Sequence, residues 1–163
     1  NGGKRIGTTI ALLCIDGNTI HIYSIGDSRV YLMRNKRMKQ ITEDHTQAMR
    51  MVKMGIMPMK EAKTHPHRNK LTQYLGIAPE EMKFKPYCYE KKANNGDLFL
   101  LCSDGISDML EDDEIEYILR QKKSEKAIVS DLINNAMQKG GRDNITAMVI
   151  RIRRKKSLFG FKE

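Results

Sequence analysis

The chain has 163 residues, with 29 Lys+Arg against 20 Asp+Glu and a formal net charge of +9 at pH 7. A 40% hydrophobic content excludes a disordered tail and suits one compact domain, while no apolar run approaches the ~18–20 residues of a membrane span. Three widely spaced cysteines (Cys14, Cys88, Cys102) inside apolar stretches argue against a disulfide framework or a zinc site and for a reducing, cytoplasmic setting, and no secretory leader is read at the start.

The first half reads as strands. Thr8 to Ile15 and Thr19 to Ile25 flank Asp16-Gly17, a hairpin signal, and Arg29 to Met33 with Met38 to Thr42 continue the meander around Asn35-Lys36. Asp44 to Met54 turns to helical period, with Asp44 as the expected cap and Gly55 as the stop. From Gly55 to Gly76 the pattern dissolves into Pro, His, Lys and Met, an excursion from the core. Strands resume at about Lys83 to Tyr89 and at Asp97 to Cys102, after an Asn95-Gly96 turn. Two helices follow. The first is expected to open on a capping box of Asp113 and Glu116; the second carries the stripe Ile128, Leu132, Ile133, Ala136 and Met137 and stops at Gly140-Gly141. Ile145 to Ile152 closes the series, and a basic stretch from Arg151 to Lys156 leads out of it.

Ile10 to Ile15, Leu98 to Cys102 and Ile145 to Ile150 are apolar on both faces, whereas a sheet with one wet face would alternate. Such strands need cover twice, which predicts a layered α+β fold with two sheets at its centre. With 6% aromatics and no tryptophan the basic excess lacks stacking partners for bases, so it reads as solvated surface and no nucleic-acid partner is expected.

Three acids fall at strand ends beside glycine: Asp27 in Gly26-Asp27-Ser28-Arg29, Asp104 in Ser103-Asp104-Gly105, and Asp143 in Gly141-Arg142-Asp143-Asn144. Carboxylates gathered at one sheet edge, without His or Cys at ligand spacing, suit a hard cation such as Mg²⁺ or Mn²⁺. Asp16-Gly17 and Gly96-Asp97 are plain turns. Asp104 is distinctive because it directly follows a doubly buried run, where an acid is costly unless it meets a charge. His45, His65 and His67 are read as structural, and Arg29 and Arg142 as partners of nearby acids.

Gly7-Thr8-Thr9, Gly26-Asp27-Ser28-Arg29, Glu43-Asp44-His45, His67 to Thr72 with Leu75-Gly76, Asp97 to Gly105 and Gly141 to Thr146 occur in one order. Together they resemble the metal-dependent Ser/Thr protein phosphatases of the type 2C (PPM) family, bacterial branch, from Gly7 to about Ile152. The resemblance implies a four-layer α/β/β/α sandwich with two central antiparallel sheets and a binuclear Mn²⁺ or Mg²⁺ centre. There a metal-bound hydroxide attacks phosphoserine or phosphothreonine in proteins. It implies Asp104 and Asp143 as ligands of that centre, Asp27 at a third metal position, and the Gly55 to Gly76 stretch as a flap that influences substrate choice. Phosphorylated proteins, and a cognate Ser/Thr kinase with its substrates, are the implied partners.

One departure is plain. The family places a phosphate-holding Arg, a metal-bridging Asp-Gly and a Gly-Gly-His ahead of the Gly-Thr-Thr strand, where this sequence has only Asn1 to Ile6. No catalytic residue proper is therefore identified here. The chain is expected to correspond to the C-terminal two-thirds of a catalytic domain (residues 1–153, incomplete at the N-terminus, with 154–163 as basic tail or linker). By itself such a fragment is expected to be inactive and to self-associate. The alternative expectation is a catalytically inactive phosphatase-like module that binds or regulates a partner.

Overall fold

The computed structural model describes residues 6–78, 80–81 and 83–154. Its elements run β1 (Ile10–Asp16), β2 (Thr19–Ile25), β3 (Arg29–Arg34), β4 (Arg37–Gln40), α1 (Gln47–Lys53), α2 (Met59–Ala62), β5 (Tyr87–Lys92), β6 (Leu98–Cys102), α3 (Asp104–Ser107), α4 (Asp112–Leu119), α5 (Glu125–Gln138) and β7 (Ala147–Arg151). They form two antiparallel sheets, a three-stranded one ordered β1-β2-β5 and a four-stranded one ordered β4-β3-β6-β7.

Strand alternation divides the core into two layers. From the larger sheet, Tyr31, Met33, Leu98, Leu100 and Cys102 face α3, α4 and α5, meeting Ile106, Ile115, Ile128 and Leu132. The intervening Val30, Leu32 and Phe99 point the other way, onto Ile20 and Ile22 of the smaller sheet. Chain order therefore yields an α+β sandwich in which the four-stranded sheet is covered on both faces, by helices and by a second sheet.

The expected double cover holds for β6, whose five residues are buried or nearly so. It fails for β1. Ala11 and Leu13 pack inward, but Ile10 (40% exposed) and Leu12 (42%) lie on the outer face beside Tyr23 (39%), and among the described residues nothing covers them. In β7, Met148 is likewise exposed.

Local signals shift by a residue or two. The first hairpin turns on Gly17-Asn18, because Asp16 still pairs with Thr19, and Gly17 takes the positive φ (+54°) that a II′ turn requires first. The expected turn at Asn35-Lys36 is present, and both residues adopt positive φ (52° and 61°). Thr46, not Asp44, caps α1 by accepting from the Met49 N–H. The capping box of α4 is Glu111 with Glu114, two residues ahead of the expected pair, and Met137 falls off the α5 stripe into solvent. β5 begins at Tyr87, so only the end of the expected Lys83 to Tyr89 strand is regular. Arg154 is docked, its guanidinium donating to Asn18 and to the Ala93 carbonyl; residues 155–163 of the expected tail lie outside the described residues. Among the described residues no helix is long and apolar enough to cross a membrane.

Candidate metal centre

The register of the larger sheet brings three chain junctions to one edge. Arg29 at the start of β3 pairs with Cys102 at the end of β6, and Cys102 pairs with Ala147 at the start of β7. The loops carrying Asp27, Asp104 and Asp143 therefore emerge side by side. Asp27 and Asp104 line a common cleft of about 350 Å³. Asp143 is exposed outside that lining, close enough to Asp104 for their charges to act on each other.

Each loop is held by short-range chemistry. Gly26 has φ +103°, and a Cβ there would meet the Thr9 methyl at 2.3 Å, so only glycine lets the chain turn into Asp27. The Thr9 and Ser28 hydroxyls pair at 2.8 Å across the same turn. Ser103 joins the other two loops: its Oγ donates to the Asn144 carbonyl (3.1 Å) and accepts from the Thr146 N–H (3.0 Å), while its own N–H donates to the Thr146 carbonyl (3.1 Å). Gly105 completes the contact, since a Cβ there would lie 2.4 Å from the Asn144 carbonyl oxygen. Ser103 escapes sequence reasoning because serine after a strand is ordinary; its position in Ser-Asp-Gly is the only signal.

Arg29 does pair with an acid. Its Nε and Nη2 grip Asp44 at 3.0 and 2.6 Å, and its Nη1 donates to the Tyr31 hydroxyl at 2.9 Å. Asp44 also accepts from Gln40 (2.9 Å), which explains why it is unavailable as a helix cap. The Tyr31 hydroxyl, on a fully buried ring, donates onward to Asp112 (3.4 Å). Arg142 is exposed and makes no ion pair among the described residues.

The excursion folds over the cleft and contains the short α2. Lys63 donates to Asp112 (2.9 Å) and Glu111 (3.3 Å), and Asn69 donates to Asp108 (2.8 Å), so its polar residues are tied to the α3–α4 side. Both ends of the excursion's return are pinned, by bridges from Leu71 to Thr46 and from Leu75 to Thr8. His65 and His67 stack edge to face within it, and the His67 N–H donates to His65 Nδ1. His45 is buried just ahead of α1, and its imidazole accepts from the Gly26 N–H.

Electrostatically the cleft is the reverse of the whole chain. Asp27, Glu43, Asp44, Asp104, Asp108, Glu111 and Asp112 line it, against Arg29, Lys63 and Arg68. Burial, and then the Asp104 charge, push Asp27 up from 3.8 to about 6. Burial, followed by Asp143 and Asp108, raises Asp104. Acids that repel one another in a partly dry cleft fit a divalent cation, which would remove the repulsion. Among the described residues, however, no three His, Cys, Asp or Glu side chains gather into a ready coordination group. The donors match a hard cation in kind and would be completed by water or further ligands, as Mg²⁺ and Mn²⁺ sites commonly are.

Fold and cleft together define an α+β sandwich with an acidic, cation-seeking edge. Residues 2–149 match the model of the protein phosphatase 2C family, and the chain belongs to that family. It is 36% identical over 147 residues to the serine/threonine phosphatase stp of Listeria innocua, covering 89% of this chain and 56% of that protein. It is also 36% identical over 147 residues to the serine/threonine protein phosphatase PstP of Mycobacterium tuberculosis, covering 90% of this chain and 27% of that protein. The crystal structure of the M. tuberculosis phosphatase superposes with a TM-score of 0.83 at 34% identity, over 91% of this chain and 61% of that one. Another structure of the PstP catalytic domain contains two manganese ions and aligns with a TM-score of 0.77 at 32% identity, over 91% of this chain and 60% of that one. The chain thus spans little more than half the length of the stp relative, 56%.

Proposed function

We propose that the protein carrying this chain hydrolyses phosphoserine and phosphothreonine in other proteins with the help of Mn²⁺ or Mg²⁺. On this reading, residues 1–153 supply the C-terminal share of the catalytic domain. Asp104 and Asp143 hold metal, and Asp27 serves a further metal position at the same edge. When bound, the divalent ions supply an activated water nucleophile and neutralise charge on the phosphoryl group. The chain's own residues supply the frame. Ser103 fixes the spacing of the Asp104 and Asp143 loops, Gly26 and the Thr9–Ser28 pair fix Asp27, and Arg29 with Asp44 ties the start of β3 to the segment leading into α1.

The excursion over residues 55–76 forms the wall against which a phosphoprotein segment lies. Its Lys63 and Arg68 are the cleft cations nearest to solvent, at 45% and 39% side-chain exposure. Both are paired, Lys63 with Glu111 and Asp112 and Arg68 with Asp108 at 3.8 Å, but these pairs are solvent-exposed and exchange for a substrate phosphate at less cost than the buried Arg29–Asp44 pair would. The substrates are phosphoproteins, including those of a partner Ser/Thr kinase.

The observation that carries this reading is the joining of the Asp104 and Asp143 loops by Ser103 at the open edge of the sheet. The test is release of phosphate from a phosphothreonine peptide by the whole protein, with and without Mn²⁺. Metal-dependent turnover supports an enzyme. Absence of turnover while metal still binds leaves a phosphatase-like binding module instead.

A further inference from the structure

We infer that His45 is a positioning residue that holds the Asp27 loop in place from beneath. This rests on the reading of Asp27 as part of the metal-binding edge.

His45 grips Gly26 at two points. The ring Nδ1 accepts from the Gly26 N–H at 3.1 Å, and the His45 backbone N–H donates to the Gly26 carbonyl at 2.8 Å. Both backbone groups of the residue preceding Asp27 are therefore taken up by one partner. Gly26 offers no side chain as a handle, and its positive φ and its fit against Thr9 forbid one. Beyond Asp27 the Thr9–Ser28 hydroxyl pair holds the turn, but Gly26 itself can be held only through its backbone, and the His45 imidazole is the side chain that takes its N–H. For Nδ1 to accept, the ring must be neutral with its proton on Nε2.

His45 in turn has a fixed station. It is 9% exposed. Its carbonyl accepts from the Thr72 N–H at 2.7 Å, the Gln47 N–H donates to the Lys70 carbonyl at 2.8 Å, and Thr46 bridges Leu71. Three successive residues are thus anchored to the return of the excursion, and the ring sits on a backbone with little freedom. A ligand carboxylate performs only as well as the groups that orient it, and losing such a partner lowers metal affinity by roughly 10–100-fold. His45 acts one bond further out, through the backbone of Gly26, so the lower end of that range is expected.

The experiment compares His45→Ala with His45→Asn in the whole protein. The Asn Oδ1 stands close to where Nδ1 stood and accepts the same bond. Two readouts are taken: hydrogen exchange of the Gly26 and Asp27 amides, and the Mn²⁺ concentration giving half-maximal hydrolysis of a phosphothreonine peptide. In His45→Ala the Gly26 amide should lose about tenfold or more of its protection. The half-maximal Mn²⁺ concentration should rise about tenfold while kcat at saturating Mn²⁺ stays within a few-fold. His45→Asn should restore both.

An unchanged Gly26 amide in His45→Ala, or a His45→Asn protein indistinguishable from His45→Ala, overturns the inference. Asp27→Asn separates this failure from failure of the underlying reading. If Asp27→Asn shifts the Mn²⁺ dependence and His45→Ala does not, the positioning role falls while the metal role stands. If Asp27→Asn leaves the Mn²⁺ dependence untouched, Asp27 is not at the metal edge and the inference falls with it.

Discussion

Asp27 and Arg29 stand two residues apart and face opposite electrostatic problems. Asp27 lies half out of water among other acids: burial and Asp104 lift it to about 6, so the folded chain binds a proton that the unfolded chain has already released. A raised acid contributes stability below its unfolded value of 3.8 and loses it as pH climbs through about 6. The metal-free protein should therefore melt at a lower temperature at about pH 7.5 than at about pH 5, and Asp27→Asn should flatten that dependence. Mn²⁺ should raise the melting temperature chiefly at the higher pH, where the acids are charged. Arg29 is solved internally. Its side chain and that of Asp44 are 15% and 11% exposed, and their pairing is bidentate. Removing one partner of such a pair strands the other, so Arg29→Met should cost about 3–5 kcal/mol in denaturant unfolding. A loss near zero would mean that water already relieves Asp44.

Backbone bridges pin the return of the excursion at Leu71 and Leu75, whereas its Lys63 end is secured by surface chemistry. Lys63, Glu111 and Asp112 are all more than two-fifths exposed, and such pairs stabilise by about 1 kcal/mol or less. Lys63→Ala should thus leave global stability nearly unchanged while speeding hydrogen exchange across residues 59–69; a large drop in overall stability would contradict this placement. The same contrast explains which elements the sequence disclosed. β3 is legible because it continues the hairpin meander, β6 because both of its faces find apolar partners, and α5 because Ile128, Leu132 and Ala136 recur at helical spacing over a buried stripe. The α1 start was not, because Asp44 has a stronger partner in Arg29 than the helix end offers, leaving Thr46 to cap. α3 was missed because one turn of Asp-Gly-Ile-Ser carries no periodicity. The acids at the edge were visible as types beside glycine, whereas Ser103 and His45 act through backbone groups that leave no pattern in the sequence.

For the molecule as a whole, charge and apolar surface are unevenly spread. The chain carries +9 overall, yet its cleft is lined by more carboxylates than cations. At the outer face of the smaller sheet, Ile10, Leu12 and Tyr23 form a row of exposed apolar side chains along β1 and β2. A bare apolar sheet face with an open edge strand is prone to pair with other copies. The 163-residue chain by itself should show concentration-dependent association in sedimentation, reduced by Leu12→Glu; a monomer at every concentration would contradict this.

Asp104 and Asp143 are proposed to hold metal for phosphoryl hydrolysis. Mn²⁺ titration of the whole protein, followed calorimetrically alongside Asp104→Asn and Asp143→Asn, tests this most directly. Each substitution should weaken Mn²⁺ binding by roughly 100-fold or more, above the range for supporting partners, and abolish phosphopeptide turnover in step. Unaltered Mn²⁺ binding in both variants would contradict the account.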